Sequence, residues 1–348
     1  MKAAVLERFN APLAIRDVPA PVAGPGEALV RTRASCLCQT DLKVMRGAIP
    51  TVQVPRIIGH ELAGEVAALG PGAAGVPGGA GAGAIKEGDR IIAALDISCG
   101  GCAYCQVGRL DYCLALRRLG FEHDGAHAEF VRLPARNLVP IAASVSFEQG
   151  AAIPDAMGSI YHAIKVRGDV RPGQAVAIYG LGGLGLSGVQ IAALAGARVI
   201  AIARTPERRR LALELGASAA IDPEAGDLVA AVRDASGGLG VDVFVDLVGI
   251  EGSIEKGVRA CRKGGRVVIV GYVAPTFQVT TMYLLYNEVQ VLGSRSSTRA
   301  DFLEVAQLVA DGRLKPILAE RLRLEDVNEG YARLQEGKVI GRSVIVFP

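Results

Sequence analysis

The sequence predicts an α/β chain in two parts, a mainly β, barrel-like domain and a doubly wound parallel sheet. Up to about residue 150, short β-rich runs (AAVLERF, EALVRTRAS, ELAGEVAAL, DRIIAAL, AEFVRL) are separated by Pro and Gly clusters, the pattern of an antiparallel domain. From residue 175, apolar strands (AVAIYG, RVIAIA, SAAID, VDVFVDLVG, GRVVIVG, EVQVLGS) alternate with helical patterns, as crossover-connected parallel strands require. After about residue 296 the texture returns to a helix (ADFLEVAQLVADG), a second short helix near 326–337 and a last strand, SVIVF. This tail is expected to fold back onto the first domain, so that the parallel sheet is an insertion.

The 348 residues suit about two domains at roughly 150 residues each. Apolar residues make up 50% and charged residues 21%, the usage of a globular protein. With 38 basic against 35 acidic residues, no Trp and 5% aromatics, the chain lacks both the field and the stacking groups for nucleic acid, and no such partner is expected. Seven cysteines, an odd number, and an opening MKAAVLERFN without an apolar signal core predict a reducing, cytoplasmic setting. The apolar stretch 175–203 is punctuated by six glycines and reads as a buried βαβ unit, so no membrane partner is expected either. The tract GPGAAGVPGGAGAGAI, 70–85, is too poor in bulky or polar groups to pack and predicts a flexible surface loop.

Cys99, Cys102, Cys105 and Cys113 are spaced by two, two and seven residues, within a lobe at 96–114. Four thiolates so placed close a tetrahedron around zinc and leave no open position, the geometry of a structural site. An iron–sulfur cluster is the competing metal, but its usual run places the fourth Cys after three residues and before Pro, whereas Leu114 follows Cys113. A disulfide is the third reading, disfavoured by the compartment.

Cys38, in CQTD (38–41), and His60, in GHELAGEV (59–66), lie beside acidic groups able to accept hydrogen bonds from a metal ligand. Either alone is an ordinary core residue. Together with a carboxylate at Asp155 they supply three ligands and leave a fourth position free, which is catalytic architecture.

Gly180, Gly182, Gly183 and Gly185 form GLGGLG, with Leu184 among them, between a predicted strand and the helical run 184–194. In that context the glycines let a pyrophosphate reach a helix N-terminus. About 20 residues on, an acid would accept the ribose 2′-hydroxyl of NAD. The sequence has Ala203 and Arg204 there, with Arg208 to Arg210 following, which leaves room and countercharge for a 2′-phosphate. NADP is favoured, with NAD as the alternative if these arginines only face solvent.

With CQTD, GHELAGEV, the four-cysteine lobe, GLGGLG and GKVIGRSVIVFP in this order, nearly the whole chain resembles the zinc-containing medium-chain alcohol dehydrogenases. The resemblance implies a GroES-like catalytic domain (1–156 and 296–348) around a Rossmann domain (157–295). It also implies two zinc ions per chain, a small-molecule alcohol or carbonyl substrate, and a homodimer or homotetramer. In the same way, it places Cys38, His60 and Asp155 on the catalytic zinc, Glu61 behind the metal, Asp41 on His60, Thr40 at the substrate proton and Arg342 on cofactor phosphate. Lys43 stands where many relatives end the proton relay with His, and is expected to take that role. A polyol or amino-alcohol dehydrogenase is the alternative within the enzymes. A non-catalytic nucleotide sensor, or a zinc-free quinone reductase, is expected to lack Cys38, His60 or Thr40.

Overall fold

The computed structural model describes residues 1–78 and 83–348, which divide into two compact units, Met1–Ala156 with Ser297–Pro348, and Met157–Ser296. The first is organised on one ten-residue strand, Glu27–Cys36, in which Ala28, Val30, Thr32 and Ala34 are fully buried at the period of two that a pleated strand imposes. It pairs antiparallel with Glu61–Leu69, with Phe130–Pro134 and with the tail strand Arg342–Val346. At its end, Cys36 is in register with Glu61 on one side and Val344 on the other, so residues far apart in sequence converge. A smaller sheet joins Lys2–Leu6 to Ala14–Asp17 and Arg56–Ile57.

In the tail, Thr298 accepts a hydrogen bond from Asp301 N–H and starts the helix Arg299–Ala310. The helix Val327–Gln335 packs its Val327, Tyr331 and Leu334 into the same core as Leu37 and Leu42. The second unit is a six-stranded, all-parallel sheet. Its strands, in chain order Ala175–Tyr179, Arg198–Ile202, Ala219–Ile221, Val241–Asp246, Cys261–Ile269 and Gln290–Gly293, lie in the spatial order third, second, first, fourth, fifth, sixth. That is the doubly wound order, with its switch point beside the first strand. Among the described residues no helix is long and apolar enough to cross a membrane.

The tract 70–85 departs from the expected surface loop. Residues 79–82 lie outside the described residues. Around them, Ala73 and Ile85 are buried in the sheet's core with Val76 packed against it. The left-handed turns at Gly72 and Gly75 fold the chain back sharply enough for small side chains to reach that core.

The first unit buries several polar side chains completely, His127 among them. His127 lies between Ser35 and Tyr331, and burial lowers its pKa to about 4 from 6.5. The folded state therefore binds fewer protons than the unfolded chain between these values, and stability falls as pH drops from about 6.5 toward 4. Denaturant titrations should show the wild type losing about 3 kcal/mol more than His127→Gln over that range. Parallel pH profiles for the two proteins would contradict it.

Candidate active site

The register of the central strand builds the site. Cys38 caps the helix Gln39–Met45, its backbone N–H donates to Asp41 Oδ2 at 2.9 Å, and this turn aims the thiol inward. His60 immediately precedes the strand Glu61–Leu69 and follows Gly59, whose φ of +95° is one that side chains rarely adopt. Asp155 lies in a π-helical turn, Ile153–Met157, a geometry that often marks functional sites. Its Oδ2 is 3.5 Å from both Cys38 Sγ and His60 Nε2. Cys38, His60, Glu61 and Asp155 present donor atoms all within 4.8 Å of one another.

This donor set fits a divalent ion. Thiol, imidazole and carboxylate suit zinc, and the buried Glu61 Oε2 has no partner of its own. Burial alone would lower the pKa of His60, but Asp41 and hydrogen bonds to Asp155, Asp41 and Cys38 raise it well above the usual range. Burial pushes Glu61 up to about 8, against the pull of Arg342. Asp41, with its Oδ1 2.9 Å from His60 Nδ1, is held below the usual carboxylate range because the His60 contact outweighs burial. The ring of Phe121 tilts against His60 at 5.4 Å between centroids.

Arg342, expected on cofactor phosphate, lies among the acidic groups of this cluster. Its guanidinium is 4% exposed, and Nη2 lies 2.6 Å from Glu61 Oε1, 3.1 Å from Asp155 Oδ2 and 3.5 Å from Cys38 Sγ. Three acidic groups in a dry pocket hold a cation more strongly than the surface does. Sequence reasoning did not find this role, because an isolated residue hundreds of positions away gives no local signal.

Thr40 Oγ1 lies 3.7 Å from Cys38 Sγ, on the same first helical turn. Lys43, three residues further along the helix, is half-buried, and burial lowers its pKa while Cys38 opposes this. In the lobe, Cys99, Cys102, Cys105 and Cys113 also bring their sulfurs within 4.8 Å. Backbone N–H groups of Leu114 and Cys105 lower the Cys102 pKa to about 6, and burial raises Cys105 to about 11. His123 opens on a cavity of about 360 Å3 with Arg56 and Asp124 and none of Cys38, His60, Glu61 and Asp155.

In the second unit, the glycine turn follows the strand Ala175–Tyr179 and leads into the helix Gly183–Leu194. Gly180 has a φ of +103°, and a Cβ on Gly185 would sit 1.9 Å from Gly180 O, so both must be glycine. A Cβ on Gly182 would meet nothing within 4 Å, which leaves the helix N-terminus open to a ligand. Ala203 is buried at the end of the strand Arg198–Ile202, and Arg204 after it is exposed. Burial, and after it the charge of Arg204, lower the pKa of Arg208, so the two cations face one region. Arg209 is committed elsewhere, donating to the carbonyls of Ala203 and Arg204 and pairing with Asp222.

Comparison with known proteins identifies the family. Residues 24–143 match a family profile described as an alcohol dehydrogenase GroES-like domain, and residues 183–311 match one described as a zinc-binding dehydrogenase. An alcohol dehydrogenase from Geobacillus stearothermophilus is 35% identical over 347 residues, covering 99% of both chains. An NAD-dependent alcohol dehydrogenase from Sulfolobus acidocaldarius is 33% identical over 359 residues, again covering 99% of each. A Sinorhizobium meliloti 1021 chain assigned to the zinc-binding dehydrogenases and bound to NADP superposes with a TM-score of 0.88 at 31% identity, covering 99% of both.

Removing the buried cation should be costly. Arg342→Met leaves Glu61 and Asp155 uncompensated, and urea unfolding should show a loss of about 3–5 kcal/mol. A loss under about 1 kcal/mol, the range of exposed pairs, would mean that Arg342 does not neutralise this site.

Proposed function

The chain belongs to the zinc-binding medium-chain dehydrogenases, an oxidoreductase family, and within it we propose a zinc-dependent alcohol dehydrogenase that transfers hydride reversibly between an alcohol and a nicotinamide cofactor, NADP in preference to NAD. The observation that carries this reading is the convergence of Cys38, His60 and Asp155 beside a Glu61 tied to Arg342. Three donors then serve the metal and a fourth side is left for substrate. The four-cysteine lobe would hold a second, structural zinc. In this reading 1–156 with 296–348 is the catalytic domain and 157–295 binds the nucleotide. The family resemblance extends it to a homodimer or homotetramer, and seven unbridged cysteines are compatible with the cytoplasm.

When bound, zinc supplies the Lewis acidity that makes an alcohol proton removable near neutral pH, and the nicotinamide supplies the hydride-accepting carbon. The chain's own groups do the rest. Asp41 accepts from His60 Nδ1 and keeps the lone pair of Nε2 directed at the site. Thr40, next to Cys38, takes the substrate hydroxyl proton on its Oγ1 and hands it outward, and Lys43 on the same helix is its exit. Phe121 covers one side of His60 and excludes water there. The open N-terminus at Gly182 and Gly183 would take the pyrophosphate, with Arg204 and Arg208 on the 2′-phosphate.

A panel of primary, secondary and aromatic alcohols with their carbonyl counterparts, each run with NADP and NAD, tests the activity directly. Turnover confined to polyols or amino alcohols would move the substrate class, and no turnover of any would overturn the reading. Asp155→Ala should lower the zinc content from two ions per chain to one, and retention of both would remove Asp155 from the ligand set. Arg204→Ala should weaken NADP by about 10- to 100-fold, the worth of one charge-assisted hydrogen bond, and leave NAD nearly unchanged. Equal losses for the two nucleotides would refute the assignment.

A further inference from the structure

In the parallel-sheet unit a buried acid stands where three loops meet. Asp246 ends the strand Val241–Asp246, in register with Tyr179 at the end of the strand Ala175–Tyr179, and it is fully buried. These two strands flank the switch point, and open parallel sheets take their ligands at the carboxyl ends of such strands.

A buried carboxylate is tolerated only when it is hydrogen-bonded. Asp246 Oδ1 accepts from the backbone N–H groups of Val248 and Gly249, at 2.9 and 3.0 Å, and Oδ2 accepts from Ser253 Oγ at 2.5 Å. Val248 and Gly249 lie in the loop that follows the strand, and Ser253 opens the helix Ser253–Ala260 after it. One side chain thus gathers the whole connection. Its main-chain oxygen also accepts from Val270 and Gly271, both at 2.9 Å, and Gly249 O accepts from Val273 and Ala274, at 3.0 and 2.7 Å. The loop after the next strand is tied to the same point.

The glycine turn rests on this assembly. A Cβ on Gly180 would stand 2.8 Å from Val248 Cγ1, and one on Gly185 would stand 3.3 Å from Leu247 Cδ1. The Leu247 N–H donates to Tyr179 O at 2.9 Å, immediately before the turn. Four of the six residues from Gly180 to Gly185 are glycine, so the turn has few side chains with which to hold its own shape. It takes that shape from Leu247 and Val248 beneath it.

We infer that Asp246 is a positioning residue of the nucleotide site: its carboxylate, through Val248, Gly249 and Ser253, pins the 247–253 connection against the glycine turn and so holds the turn in the form that receives the pyrophosphate. The inference rests on the proposed nucleotide reading. Asp246 acts through hydrogen bonds and not through its charge. An amide can therefore replace it, with its oxygen accepting from Val248 and Gly249 and its nitrogen donating to Ser253 Oγ, whose own proton turns to Ile250 O at 2.8 Å.

The test is direct titration of the full-length protein with NADPH and with NADH, well below the unfolding midpoint. If Asp246→Ala leaves the turn competent in about one molecule in ten, the apparent Kd rises about 10-fold. The rise should be the same for both nucleotides, because both carry the pyrophosphate, whereas Arg204→Ala should separate them. Asp246→Asn should restore affinity to near the wild-type value. Ser253→Ala removes one of the three hydrogen bonds and should weaken both nucleotides by less, and it decides the matter if the alanine variant at 246 fails to fold. A merely structural role would lower the unfolding midpoint and leave both affinities unchanged in the folded protein. Wild-type affinity in a folded Asp246→Ala, or in Ser253→Ala where that variant must decide, would overturn the inference, and so would an Asp246→Asn protein that binds as weakly as Asp246→Ala. A wild type that binds neither nucleotide would instead overturn the proposed function itself.

Discussion

Burying charge without water is the constraint on which the first unit depends. Asp41 and Glu61 are completely inaccessible and Asp155 is mostly buried, and each must find a cation or a proton donor or cost several kcal/mol. The pairing is divided. Asp41 answers to His60, whereas Glu61 and Asp155 share Arg342. Because one guanidinium spans two carboxylates, Glu61 Oε2 remains unpartnered, and the cluster retains an affinity for further positive charge. A site that left its acids fully neutralised would have little need of a metal.

The backbone around this cluster is as constrained as the charges. A Cβ on Gly120 would lie 2.7 Å from Gly59 O, and one on Gly125 would lie 2.3 Å from the same atom. The segment carrying Phe121 and His127 therefore lies directly on the turn that carries His60. Rigid backbone contact of this kind fixes a ligand more closely than a loop held by side chains, because no rotamer is left to relax. The π-helical turn at Asp155 does the same service from the other side, since its wider backbone turns the carboxylate toward Cys38 and His60.

The second unit works by different physics. Its glycine turn is set by steric exclusion, most clearly at Gly185, where any side chain would occupy the carbonyl of Gly180. Its cation at Arg204 is solvent-exposed, so salt screens it far more than it screens the buried cluster. The two units thus differ: one buries its charges, and the other leaves Arg204 exposed.

The amino-acid sequence by itself determined the fold class, the parallel sheet with its glycine turn and the four-cysteine lobe, and it singled out Cys38 and His60 as a pair. These are written in local spacing, strand periodicity and residue type, which survive without knowledge of what packs where. Only the tertiary structure decided that Arg342 turns inward to Glu61 and Asp155 and that Ala73 and Ile85 enter the core. It likewise brought His127 and Tyr331, 204 residues apart, into contact. Each of those depends on strand register and on which buried charge lies nearest, and neither quantity exists until the chain has closed on itself.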